Sequence, residues 1–186
     1  MTIYIAFLRG INVGGKNRIK MADLKSMFEA MGLWRVETYI QSGNIIFETE
    51  EKEEDLRIKI EQELKNNFSI VTNVILRSAQ ELEVLLRECP FTAEEIERAQ
   101  ALNTEGESFY VNLMEDILPR ESLEKLQRYQ SETDEFRTNN RNMYLLLQHS
   151  IRNSKLAGSL QRLDIPGTVR NWNCLNKIME VVKARS

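Results

Sequence analysis

The feature that most constrains this chain is the order in which two hydrophobic periods alternate along it. A short apolar β-prone run, Ile3 to Leu8, is followed by Leu24, Met27, Phe28 and Met31 at helical spacing. Two tightly joined runs come next, Val36 to Gln41 and Asn44 to Thr49, and Ser42-Gly43 between them reads as a hairpin turn. Leu56, Ile60, Leu64 and Phe68 then mark one face of a charged helix, and Ile70 to Leu76 is β-prone again. Ser78 with Glu81 and Thr92 with Glu95 have the spacing of capping boxes, predicting two further helix starts. After the polar stretch 103–107 the order begins afresh. Phe109 to Leu113 reads as a strand, Leu123 to Tyr129 as a helix introduced by Pro119, and Glu135 to Thr138 and Met143 to Leu147 as a strand pair. Leu156, Leu160 and Leu163 mark another helix, Pro166-Gly167 breaks it, and Leu175, Ile178, Met179 and Val182 mark the last.

This order predicts an α+β fold built from two ferredoxin-like βαββ units with antiparallel sheets. The expected division is an N-terminal βαββαβ unit with helices over residues 1–102 and a C-terminal βαββα unit with a final helix over 107–186. In such a plait the loop after the first strand and the turn between strands two and three lie at the same sheet end. The Gly10 to Asn17 loop is therefore expected beside Ser42-Gly43-Asn44. Along the first strand Ile3, Ile5 and Phe7 face one side and Tyr4, Ala6 and Leu8 the other, all largely apolar. A strand apolar on both faces needs cover on both.

Composition bounds the function classes. The 186 residues carry a net charge of −3, with 42% hydrophobic and 28% charged residues, values of an ordinary globular chain. No apolar run approaches the roughly 18 residues of a membrane span, and the first residues lack a secretory signal, so a cytoplasmic protein is expected. Cys89 and Cys174 are far apart and His149 is the only histidine, which leaves no metal-ligand set and no His-based triad. No metal site and no cofactor are expected. The charge is uneven: residues 1–49 carry six Lys/Arg against four Asp/Glu, 50–137 carry eleven against twenty-two, and 138–186 carry eight against two. The plain reading is solvated helix faces with unequal charge usage. The sharper reading has the two basic ends converge to hold an anion.

Gly10-Ile11-Asn12-Val13-Gly14-Gly15-Lys16-Asn17 fits the phosphate-loop pattern except at its end, where Asn17 replaces the metal-binding hydroxyl residue. The element order is also wrong for a nucleotide triphosphatase. What survives is a set of glycine amides beside Lys16, Arg18 and Lys20 that suits an anion. Ile3 to Leu8 is similar to the first strand of RNA-recognition modules, yet the third strand carries Asn44 and Ile46 where stacking rings should project. With a pI of about 5.5, standard RNA reading is disfavoured. Near the C-terminus, Arg170-Asn171-Trp172 precedes a helix, with Asn171 or Thr168 as cap, and Asn153-Ser154-Lys155 opens another. Ser122 and Lys125 match SxxK without companion motifs.

The stretches Leu8-Arg9-Gly10-Ile11-Asn12-Val13-Gly14-Gly15-Lys16, Tyr39-Ile40-Gln41-Ser42-Gly43-Asn44, Ser154-Lys155-Leu156 and Thr168-Val169-Arg170-Asn171-Trp172-Asn173 together resemble a family of small bacterial proteins. That family has a domain name and no assigned function. Its pattern usually has Thr where this chain has Cys174. The resemblance implies a two-part α+β fold with ferredoxin-like elements and supplies no substrate, cofactor or catalytic residue.

The resulting expectation is a protein that binds a small phosphorylated or otherwise anionic ligand. Its candidate ligand-binding residues are Arg9, Gly10, Asn12, Gly14, Gly15, Lys16, Ser42, Gly43, Asn44, Lys155, Arg170, Asn171 and Trp172. No catalytic residue can be named, and an enzyme would have only electrostatic stabilisation of a developing anion to work with. The alternatives are a nucleic-acid-binding protein using the basic ends, and a protein-interaction module using the acidic middle.

Overall fold

The computed structural model describes residues 1–185. The elements run β1 (Thr2–Leu8), α1 (Met21–Ala30), β2 (Trp34–Tyr39), β3 (Asn44–Thr49), α2 (Glu53–Phe68), β4 (Val74–Ser78), α3 (Ala79–Arg87) and α4 (Ala93–Leu102). They continue β5 (Phe109–Met114), α5 (Arg120–Gln127), β6 (Asp134–Asn139), β7 (Asn142–Leu147), α6 (Lys155–Ser159), β8 (Gly167–Asn171) and α7 (Trp172–Lys183). The strands form two four-stranded antiparallel sheets, ordered β2-β3-β1-β4 and β6-β7-β5-β8. This is the expected α+β architecture, with each sheet in the ferredoxin-like order. Contacts group Met1–Glu83 and the stretch from Ile178 into one compact unit, and Val84–Lys177 into a second. The polar stretch 103–107 falls inside the second unit.

In the first unit the helical spacing does what the pattern requires. Leu24, Met27 and Phe28 of α1 and Leu56, Ile60 and Leu64 of α2 are buried with Ala6, Leu8, Ile45, Phe47, Val74 and Leu76 in one core. Tyr4 packs against this core, its ring stacked on Phe47 at 6.2 Å, and Phe28 tilts onto Phe47 at 5.4 Å. The Tyr4–Ala6–Leu8 face is therefore covered by helices. Ile5, Phe7 and Ile46 on the opposite face are buried as well, as a strand apolar on both sides demands. That leaves no open aromatic platform on β1 and β3 for stacking bases.

In the second unit Met114, Leu126, Phe136, Met143, Leu145 and Leu156 make the corresponding core. Phe91, Phe109, Tyr144 and Trp172 form an aromatic cluster, with centroids 4.7 to 6.3 Å apart along its contacts. Both capping boxes form: Ser78 and Glu81 exchange side-chain bonds with each other's amides at 2.8 and 3.1 Å, and Thr92 and Glu95 do so at 2.9 and 3.2 Å. One element departs from the sequence reading. Residues 168–171, expected as an irregular lead-in to the last helix, are the edge strand β8, paired with β5 in the register Val111↔Arg170 and Leu113↔Thr168. A short run with alternating polar residues carries little strand signal of its own, and pairing with β5 decides its conformation. The second unit thus completes the same βαββαβ order as the first.

Candidate anion site in the first unit

The Gly10 to Asn17 loop is a small hairpin. The Lys16 amide donates to the Val13 carbonyl at 3.0 Å, and Gly14 and Gly15 sit at φ +58° and +78°. Positive φ at both central positions is the signature of a type I′ turn, which glycine enters without a Cβ penalty. The tip is therefore a turn, not a phosphate cradle running into a helix. Asn12 fastens this hairpin to its surroundings. Its Nδ2 donates to the carbonyls of Ile19 and Gln41 at 3.0 and 2.9 Å, and its Oδ1 accepts from the Ile19 amide at 2.9 Å. Both Asn12 amide protons are thereby occupied.

The expected proximity of this loop to the β2–β3 turn is present. The Leu8 amide donates to the Gly43 carbonyl at 2.8 Å, and Asn12 reaches Gln41. Gly43 has φ +77°, and a Cβ there would stand 2.9 Å from the Leu8 Cβ and 3.3 Å from Ile11. Asn44 is fully buried, its Nδ2 donating to the Tyr39 carbonyl at 3.1 Å and the Ser42 Oγ at 2.8 Å. Asn12, Gly43 and Asn44 thus build the frame that holds the loop.

Beside the hairpin lies an open cleft of about 630 Å³, whose walls include Asn12, Gly15, Arg18, Lys20, Asp23 and Gln41. Arg9, Lys16, Arg18 and Lys20 are all exposed, and none pairs with a carboxylate among the described residues. Four unpaired cations within twelve residues create a local positive field, moderated on one wall by Asp23. Helix α1 starts at this cleft with Lys20 in the N-cap position and no side-chain cap; the Asp23 and Leu24 amides turn back onto the Lys20 carbonyl at 3.0 and 3.1 Å, and those of Met21 and Ala22 have no partner among the described residues. Among the described residues no group of His, Cys, Asp and Glu could hold a metal ion.

The other sequence candidates lie in the second unit. Lys155 is exposed at the first position of α6, which spans only five residues, while Ser154 caps it by accepting from the Ala157 amide at 3.0 Å. Asn171 caps α7, accepting from the Cys174 amide at 2.8 Å, as its position suggested. Trp172 is a packing residue, 4.7 Å from Phe109. Arg170, two residues ahead of α7, is a strand residue only 8% exposed, donating to Thr168 Oγ1 at 2.8 Å and the Val169 carbonyl at 3.0 Å. Burial disfavours its charged form and brings its pKa down to about 10. Burial likewise pushes the Cys89 and Cys174 thiols up, so neither is an activated nucleophile.

One polar cluster escaped the sequence reading. Asp134, buried at the start of β6, accepts from Ser154 Oγ at 2.6 Å through Oδ2, and its Oδ1 lies 2.6 Å from His149 Nε2. The carboxylate stands in the middle, and His149 Nδ1 faces the Ser150 carbonyl at 3.2 Å. The serine is thus bonded to the carboxylate instead of to an imidazole that could deprotonate it, and the cluster ties two loops to the sheet. No spacing in the sequence links positions 134, 149 and 154.

The fold has a solved counterpart. The chain is similar to the conserved bacterial protein SP0830 from Streptococcus pneumoniae, at a TM-score of 0.74 and 22% identity over 96% of this chain and 97% of that one. At that identity the likeness speaks for the fold. No curated protein matches the chain significantly. The model of the family described as "Protein of unknown function (DUF1697)" matches residues 1–144, which takes in the loop, the cleft and both sheets through Tyr144, and the chain belongs to that family.

Proposed function

We propose that the first unit binds a small phosphorylated or similarly anionic ligand in the cleft beside the Gly10 to Asn17 hairpin. The observation that carries the reading is the pair Arg18 and Lys20, exposed on the cleft wall and free of any carboxylate partner among the described residues. The tip amides of Gly14 and Gly15 and the uncapped start of α1 add donors of the same sign. Arg9, Gly10 and Lys16 supply the surrounding charge and backbone. Asn12, Ser42, Gly43 and Asn44 act as frame in this reading. Lys155, Arg170, Asn171 and Trp172 are left out of the ligand set: burial accounts for Arg170, capping for Asn171 and packing for Trp172, and Lys155 belongs to the second unit.

The test is thermal unfolding of the whole protein against inorganic phosphate and a panel of nucleotides and sugar phosphates. A ligand at one hundred times its Kd stabilises by about 2.7 kcal/mol, a shift of several degrees. The gain should vanish in the Arg18→Ala/Lys20→Ala double variant, whose own melting temperature should stay within about a degree, since both side chains are exposed. No stabilisation by any anion at 10 mM, or stabilisation that the double variant retains, overturns the proposal. Stabilisation only by oligonucleotides, collapsing between about 50 and 200 mM salt, assigns the cations to a nucleic-acid backbone instead.

A further inference from the structure

The second unit holds a separate cavity that the anion site does not use. It measures about 140 Å³ and is lined by Ser122, Lys125, Leu126 and Tyr129 on the α5 side and by Ser159 and Arg162-Leu163-Asp164 on the other. The SxxK spacing of Ser122 and Lys125 puts them one turn apart on the same face of α5, so both reach this wall. Leu126 and Leu163 give the cavity an apolar body.

Its polar groups have unspent capacity. Ser122 makes no side-chain hydrogen bond among the described residues. Arg162 Nη1 reaches the Tyr129 hydroxyl at 3.4 Å, and the guanidinium meets no carboxylate among the described residues. The Tyr129 hydroxyl proton and several guanidinium protons are therefore available. Lys125 holds only a long pair with Glu121, 3.6 Å apart with both side chains mostly exposed, a pair of the kind that contributes little. Asp164, on the same lining, pairs with neither cation. Two cations and one carboxylate leave a single net positive charge, matched to a monoanion, whereas a phosphate dianion would be undercompensated and repelled by Asp164. The volume has room for on the order of ten non-hydrogen atoms.

We propose that this cavity binds a short-chain monocarboxylic acid, with the carboxylate on Arg162, Ser122 and Lys125 and the alkyl chain on Leu126 and Leu163. Bidentate pairing of a guanidinium with a carboxylate suits Arg162 to the head group. Hexanoate, with eight non-hydrogen atoms, fits the room available.

The experiment titrates the full-length protein with acetate, butyrate, hexanoate and inorganic phosphate, read by ligand-detected NMR and calorimetry. Hexanoate should bind with a Kd of about 1 mM or tighter, and about tenfold more tightly than butyrate, as two further buried methylenes require. Arg162→Ala should weaken hexanoate at least tenfold. Ser122→Leu, which places a larger side chain on the wall, should abolish binding, with an unchanged melting temperature marking each variant as folded. Arg18→Ala/Lys20→Ala should leave hexanoate binding intact, which separates this site from the proposed anion cleft. No hexanoate binding at 5 mM, affinity independent of chain length, displacement by phosphate, or binding that survives Arg162→Ala overturns the proposal.

Discussion

Gly43 and Gly14 make a controlled pair for testing what holds the candidate site together. Both have positive φ, +77° and +58°, so an alanine at either position enters the left-handed region. That costs roughly 1–2 kcal/mol, partly offset by about 0.4–1 kcal/mol from the stiffer unfolded chain. The net backbone cost is then about 1 kcal/mol at each site. The surroundings differ. Nothing lies within 4 Å of a Cβ at Gly14, whereas one at Gly43 meets the Leu8 Cβ at 2.9 Å and Ile11 at 3.3 Å. Leu8 and Ile11 are buried, and Leu8 belongs to β1, so the contact is relieved only by moving the strand or the turn. Overpacking of that kind adds about 1–3 kcal/mol. Gly43→Ala should therefore cost about 2–4 kcal/mol and Gly14→Ala about 1 kcal/mol. Urea unfolding followed by far-UV circular dichroism reads the difference. At an m-value of about 2 kcal/mol/M, Gly43→Ala moves the midpoint down by about 1–2 M and Gly14→Ala by about 0.5 M. Equal losses at the two glycines would refute the close approach as the reason for Gly43.

Two further predictions concern the second unit. Tyr144 is buried and its hydroxyl donates to the Leu85 carbonyl at 2.6 Å, so Tyr144→Phe leaves that carbonyl without this donor and should cost about 1–3 kcal/mol in urea unfolding; no loss would mean the bond contributes nothing. Glu95 is held down to about 2, from an ordinary value of 4.5, chiefly by hydrogen bonds from Arg137 at 2.9 and 3.0 Å and also by the Thr92 amide. Because the folded-state value is depressed, its stabilisation is present above pH 4.5 and is lost as pH falls toward 2. Glu95→Gln should accordingly flatten the dependence of the melting temperature on pH between 4.5 and 2, and an unchanged slope would remove Glu95 from the account of acid sensitivity.

The sequence by itself determined the order of elements up to β8, the antiparallel plait and both capping boxes. These rest on local information: a period of two or near 3.6 decides strand or helix, and Ser78/Glu81 and Thr92/Glu95 find each other one turn apart. It also brought the glycine loop beside the β2–β3 turn, because topology alone fixes which connections share a sheet end. Tertiary structure decided how the polar groups are used. The amide of Asn12 reads in sequence as an available donor, and only contact with Ile19 and Gln41 shows it occupied. Arg170 reads as a surface cation until pairing of β8 with β5 takes it into a buried strand, and nothing local in the sequence brings His149 to Asp134. Charge and hydrogen-bonding capacity are written in the residue type, but whether either faces solvent depends on partners distant in the chain, and no local pattern encodes those distances.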